Sequence, residues 1–166
     1  RKNLGVFYPF VGHACHIAVI EVDVETGQHR FLKYVAVHDA GTVVNPRSLN
    51  GQIIGGVAQG LGTTMYEQFV YNSEGQLLTG SYMDYLIPTA MEVPRVEIGH
   101  QETPSPFTPY GIKGAGEGGR MMTPAAVCAA IEDALAPFGV RVNEVPVTPE
   151  KILHWIDEAR ARQVAS

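Results

Sequence analysis

Hydrophobic positions along the chain change period several times, and each change marks an element. Over residues 14–38 two β-branched, alternating runs flank Glu25-Thr26-Gly27-Gln28, a pattern that predicts a hairpin. His16, Ala18, Ile20, Val22 and Val24 fall on one face, while Glu21, Asp23 and Glu25 fall on the other, so one side is expected to be wet. The period then lengthens. Asn45 suits an N-cap and Pro46 the first helical position, and Leu49, Ile53, Val57 and Leu61 recur every four residues, which predicts a helix. This helix also carries Gly51, Gly55, Gly56, Gly60 and Gly62. Each interior glycine costs about 1 kcal/mol relative to alanine, so the run calls for close backbone packing or a ligand pressed against the helix.

Further on, "YNSEGQ" reads as the turn of a second hairpin, and residues 93–102 as another strand. Pro104, Pro106 and Pro109 then impose an extended approach to the loop "YGIKGAGEGG". After it, Thr123-Pro124 is expected to cap a helix running to about Ala136, with Val127, Ile131 and Leu135 as its stripe and Gly139 closing it. A last helix is expected from Thr148-Pro149, with Ile152, Trp155 and Ile156 on its apolar side. Strands and about three helices without strict βαβ alternation predict a single α+β domain over residues 1–166.

Composition narrows the functional classes. A chain of 166 residues that is 45% hydrophobic and only 17% charged can bury a sizeable core and suits a surface partly covered by a partner. Its net charge is −5 and its longest basic block is Arg1-Lys2, so the electrostatic footprint of a nucleic-acid binder is missing. Cys15 and Cys128 form no CxxC pair, which argues against a zinc site or a cysteine-ligated iron–sulfur cluster in this chain. No apolar run approaches the roughly 18 residues of a membrane span. The start, "RKNLGVFYPF", has neither an initiator Met nor a signal-peptide core and reads as the beginning of an excised piece. Reduced packing cysteines and the missing signal point to the cytoplasm.

Several constellations are candidates for chemistry. Gly114, Gly116 and Gly119 satisfy GxGxxG, but a dinucleotide fingerprint needs a preceding strand and a helix opening within it. A proline-rich stretch precedes this one, and the helix is expected only from Thr123. The alternative of a plain turn leaves Glu117 unexplained: it is the one carboxylate among five glycines from Gly111 to Gly119. Covered by protein or cofactor, Glu117 would have a raised pKa and be placed for general-base work. His13 and His16 lie three apart in a strand and so point to opposite faces, which disfavours a shared metal. Asp39 is expected to organise the turn into the helix at Asn45. Gln52 and Gln59, seven apart, share a helix face and could bind a ligand or a neighbouring loop.

Three segments taken together, "DAGTVVNP", "GQIIGGVAQGLG" and "TPSPFTPYGIKGAGEGG" with its "TPAAVCAAIEDAL" helix, resemble the C-terminal part of the molybdenum-binding subunit of the xanthine dehydrogenase, aldehyde oxidase and aerobic carbon monoxide dehydrogenase family. The resemblance runs from about Cys15 to Ile156. It implies the second half of a molybdenum-cofactor-binding domain in a hydroxylase of aldehydes, N-heterocycles or related small substrates. Glu117 would be the base beside molybdenum, taking a proton from a metal-bound hydroxyl. Gly51 and Gln52 would reach the cofactor from one side and the backbone of Gly114, Ala115 and Gly116 from the other, with no direct metal ligand in this chain. The cofactor would be molybdopterin, plain or as the cytosine dinucleotide, with iron–sulfur clusters and FAD on partner chains or domains. Partners would include the N-terminal half of the molybdenum subunit, but neither nucleic acid nor membrane. The sequence departs from the resemblance at Gly118-Gly119, where xanthine-type members carry two prolines and carbon monoxide-type members Ser-Pro, and at Ala129, where Asn is frequent. Two further readings are a non-catalytic assembly module that keeps the fold, and a nucleotide-binding α+β domain.

Overall fold

The structure, a computed structural model, describes residues 11–164; the "RKNLGVFYPF" stretch lies outside them. β1 (His13–Val22) and β2 (His29–Asp39) form the hairpin, and Gly27 turns between them with φ +71°. A register shift at Val19/Ile20 interrupts their antiparallel ladder. β3 (Val96–Gln101) joins β2 in parallel, giving a mixed sheet of order β1-β2-β3. With its helices packed on one side, this is the expected α+β architecture.

One helix lies directly on the hairpin, against β1, and two more join the same core. α1 (Pro46–Leu61) starts as its sequence predicts, with the Asn45 side chain accepting from Ser48 N, and it buries Leu49, Ile53, Val57 and Leu61. A π-helical turn (Gly62–Tyr66) continues it. α2 (Gly118–Ala134) lies against both α1 and β1. α3 (Pro149–Val164) contributes Ile152, Ile156 and Ala159 to the same core. "YNSEGQ" does turn the chain back, with a bridge between Tyr71 and Leu77.

Two expectations are corrected. The helix after the glycine loop begins at Gly118 and not at Thr123, so Thr123 and Pro124 lie inside it. Thr123 looks like a cap because its hydroxyl bonds a backbone carbonyl, but it donates backwards to Gly119 O at 2.7 Å. The outer face of the sheet is also less wet than its acids suggest. Glu21 and Asp23 are exposed there, but so are Ile17 (56%), Val19 (44%) and Val37 (36%). Between the π-helical turn and β3 in sequence, residues 69–91 add exposed Phe69, Tyr82, Met83, Ile87 and Met91.

Candidate active site

The glycine loop is held at its entry by the "DAG" turn after β2. Asp39 is buried and accepts from Gly41 N at 2.9 Å, from Thr103 N at 3.1 Å and from Lys113 Nζ at 3.0 Å. Both members of this ion pair are almost fully buried, with side chains 7% and 6% exposed. Burial alone would push the Asp39 carboxyl up, but these three donors hold it well below the usual carboxylate range. Gly41 has φ +64°, and a Cβ there would stand 2.1 Å from Gly111 O. Asp39 therefore does more than organise the approach to Asn45, because it also ties the loop entry to the sheet.

From Lys113 the backbone runs between two recesses. One, of about 280 Å³, is lined by His13, His38, Asp39, Gly114, Ala115, Gly116, Glu117 and Gly118, among others. The other, of about 330 Å³, lies toward α1 and includes Gln52, Lys113 and Ala115. Gln52 Nε2 donates to Gly116 O at 3.1 Å, so the predicted Gln52, Gly114, Ala115 and Gly116 are brought together. Gln59, one of the pair on that helix face, lines neither recess.

Glu117 is the N-cap of α2, with φ −113° and ψ 4°, and its side chain makes no cap hydrogen bond. The carboxylate is exposed and, among the described residues, has no hydrogen-bond partner. A shorter Asp or Ser at an N-cap would normally be consumed by the first turn. Here the acid stands free on the rim of the recess.

Sequence reasoning missed a part-buried polar chain that runs from His38 to the start of α2. His38 Nε2 lies 2.7 Å from His16 Nε2, and His16 Nδ1 lies 2.9 Å from Tyr34 OH. Tyr34 OH in turn meets Thr123 Oγ1 at 3.0 Å, which donates to Gly119 O. Burial, with His38 beside it, pushes His16 down to about 4. Burial also lowers His38, helped by the neighbouring His100, and raises the Tyr34 phenol to about 12. The available signal was the strand alternation that puts His16 on the inward face, together with Tyr34, Ala36 and His38 alternating on β2. His13, as expected, points the other way and is exposed.

The glycines divide into those a side chain would disrupt and those it would not. A Cβ at Gly119 would stand 2.5 Å from Ile53 O, and one at Gly60 would stand 2.6 Å from Thr123 Cβ. At Gly51, Gly55 and Gly116 nothing lies within 4 Å. Bare backbone facing open space on both α1 and the loop is a cradle that a large, flat ligand can fill, and it fits a pterin-type cofactor. The Rossmann alternative loses one of its objections, since α2 does open within GxGxxG. It keeps the other: the preceding backbone is a proline-rich run ending in a 3₁₀ turn at Pro109–Gly111, and the sheet is mixed.

A mixed α+β scaffold that presents bare backbone and one free carboxylate to an open recess defines a domain that holds a bulky cofactor. Residues 2–94 match the family described as molybdopterin cofactor-binding domain. The chain belongs to that family, as part of the molybdenum-binding subunit of the xanthine dehydrogenase, aldehyde oxidase and carbon monoxide dehydrogenase group. It is 44% identical to the nicotine 6-hydroxylase large subunit of Paenarthrobacter nicotinovorans, over 87% of this chain and 18% of that protein. To the carbon monoxide dehydrogenase large chain of Hydrogenophaga pseudoflava it is 37% identical, over 91% and 18% respectively. Quinoline 2-oxidoreductase from Pseudomonas putida 86 superposes with a TM-score of 0.84 and 49% identity, covering 86% of this chain and 18% of that one. The chain thus spans less than a fifth of the length of these relatives. Among the described residues no helix is long and apolar enough to cross a membrane.

Proposed function

We propose that this chain supplies the base and one wall of the cofactor site in a molybdenum hydroxylase, acting on an N-heterocycle, an aldehyde or a related small substrate. The observation that carries this reading is the free Glu117 carboxylate at the end of a helix, beside backbone stripped of side chains. Gly51, Gln52, Gly114, Ala115 and Gly116 would hold the molybdopterin cofactor, and none of them is a ligand to the metal. When bound, the cofactor supplies the two-electron redox chemistry and the site of oxygen transfer.

The protein's own contribution is proton handling and shape. Glu117 Oε accepts the proton released as water-derived oxygen is transferred. Its place at the N-terminus of α2, with no cap hydrogen bond, leaves the carboxylate free to face the recess. Gln52 fixes the loop by donating to Gly116 O, so the carboxylate is carried on a braced backbone. Domain organisation follows the same reading: residues 1–166 form one cofactor-binding unit of a longer subunit. The rest of that subunit would cover the apolar outer sheet and the 69–91 segment. Iron–sulfur clusters and FAD belong on partner chains, the cofactor is the plain or cytosine dinucleotide form, and the assembly is cytoplasmic.

Glu117→Gln in the assembled enzyme tests the reading. Molybdenum content, measured by elemental analysis, is expected to stay at the wild-type level. Turnover is expected to fall by about 10²–10⁴-fold, the usual worth of a positioned general base. Unchanged turnover would support the rival reading of an assembly module.

A further inference from the structure

The hydrogen-bond chain from His38 to the start of α2 has only one allowed direction. It ends on Gly119 O, a carbonyl, which can only accept. The Thr123 proton is therefore committed to Gly119, so Thr123 Oγ1 must accept from Tyr34 OH. With its proton used, the Tyr34 oxygen must accept from His16, which places a hydrogen on His16 Nδ1. The other nitrogen of neutral His16 is then bare and takes a hydrogen from His38 Nε2. Neutral His38 is left with a bare Nδ1.

His38 lines the recess that Glu117 also lines, and Gly118, another lining residue, faces the ring edge that carries Nδ1. Gly118 packs on the same ring edge, where a Cβ would come within 2.9 Å of both His38 Nδ1 and Cε1. Among the described residues His38 Nδ1 makes no hydrogen bond. The chain is also a dead end for protons, because a backbone carbonyl passes none onward. It therefore serves to hold His38 in one state and not to carry protons out of the site.

We propose that His38 is a cofactor-binding residue whose Nδ1 accepts a hydrogen bond from an N–H or O–H donor of the molybdopterin group, and that His16, Tyr34 and Thr123 are positioning residues that keep this nitrogen bare. The inference rests on the cofactor reading given above. A pterin carries ring N–H and amino donors, and an uncharged acceptor at the wall matches them without adding a charge beside Glu117. Water or substrate would be the other source of a donor, and the test separates them from the cofactor.

Two substitutions divide the two nitrogens of His38. His38→Gln keeps a donor where Nε2–H stands and removes the acceptor, whereas His38→Asn can place an oxygen near the Nδ1 position but loses the donor to His16. Each variant is purified with the polypeptides it assembles with, dialysed, and analysed for molybdenum, with circular dichroism as the check on folding. If the proposal holds, His38→Gln retains about tenfold less molybdenum than wild type and His38→Asn retains more than His38→Gln. A purely structural chain gives the opposite order, and that result would overturn the proposal. Wild-type retention by both variants would also overturn it, leaving water or substrate as the donor while the hydroxylase reading stands. Absence of molybdenum from assembled wild type would sink both.

If neither variant folds, nitrogen-15 NMR of histidine-labelled wild-type protein decides. The expected pattern is a hydrogen on Nδ1 of His16 and on Nε2 of His38, and a hydrogen on His38 Nδ1 would end the proposal.

Discussion

The glycines of α1 serve two regions that look alike in sequence and differ in what faces them. At the seam with α2, Gly56 and Gly60 meet Gly119, Arg120 and Thr123 so closely that a methyl group would collide with backbone. On the neighbouring face Gly51 and Gly55 meet nothing within 4 Å. The first pair lets two helices cross at backbone distance, which fixes where α2 begins and so where Glu117 stands. The second pair leaves peptide surface bare for a ligand. Closely spaced glycines thus have a packing cause on one face, and on the other the proposed cofactor site is the cause we infer.

Breaking the packed region should cost the most. Asp39→Asn leaves the Lys113 ammonium buried without its partner and is expected to destabilise the fold by about 3–5 kcal/mol, measured by denaturant unfolding. Gly119→Ala drives a methyl group against Ile53 O and should cost about 1–3 kcal/mol, with α2 shifting and turnover falling even where the fold survives. Tyr34→Phe leaves His16 Nδ1 without its acceptor and takes one donor from Thr123 Oγ1, which keeps its bond to Gly119 O, for about 1–3 kcal/mol.

Acid acts on the same region. The folded-state value of His16 lies near 4, below its ordinary 6.5, so the unfolded chain binds the proton more readily. The stability tied to His16 is complete above pH 6.5 and is lost as pH falls toward about 4. His16→Phe should flatten thermal stability across that window. An unaltered pH slope in the variant would show that the histidine pair is not what acid attacks.

The open region should respond with the smallest effect and the opposite sign. Gly51→Ala adds a helix-favouring methyl with no neighbour to strike, so the chain itself should gain up to about 1 kcal/mol. The added methyl would nevertheless stand where the cofactor is expected, so molybdenum retention should fall. A variant that is both more stable and fully loaded would show that this face is bare for some other reason.

Much of the fold was legible because its signals are local. Alternation from Ala14 to His38 predicted the hairpin, and the Asn45-Pro46 start with its four-residue stripe predicted α1 nearly to the residue. The α2 start was misplaced because Thr123-Pro124 has the local signature of a cap, and the glycines that really open the helix have poor helix propensity. Packing against α1 overrides that propensity. Of the site, Glu117, Gln52 and the glycine loop were visible as residues out of keeping with their surroundings. The Asp39–Lys113 pair and the His38 chain were not, because their members come from elements up to 89 positions apart.

By itself, then, the sequence determined the period of each element, the face on which each side chain falls and the presence of one acid among glycines. All of these are set by spacing within a few residues. Only the tertiary structure decided which glycine faces are closed and which are open, why Glu117 is left uncapped, and which nitrogen of His38 is bare. Those facts depend on what another segment places within 3 or 4 Å, and no local spacing encodes that.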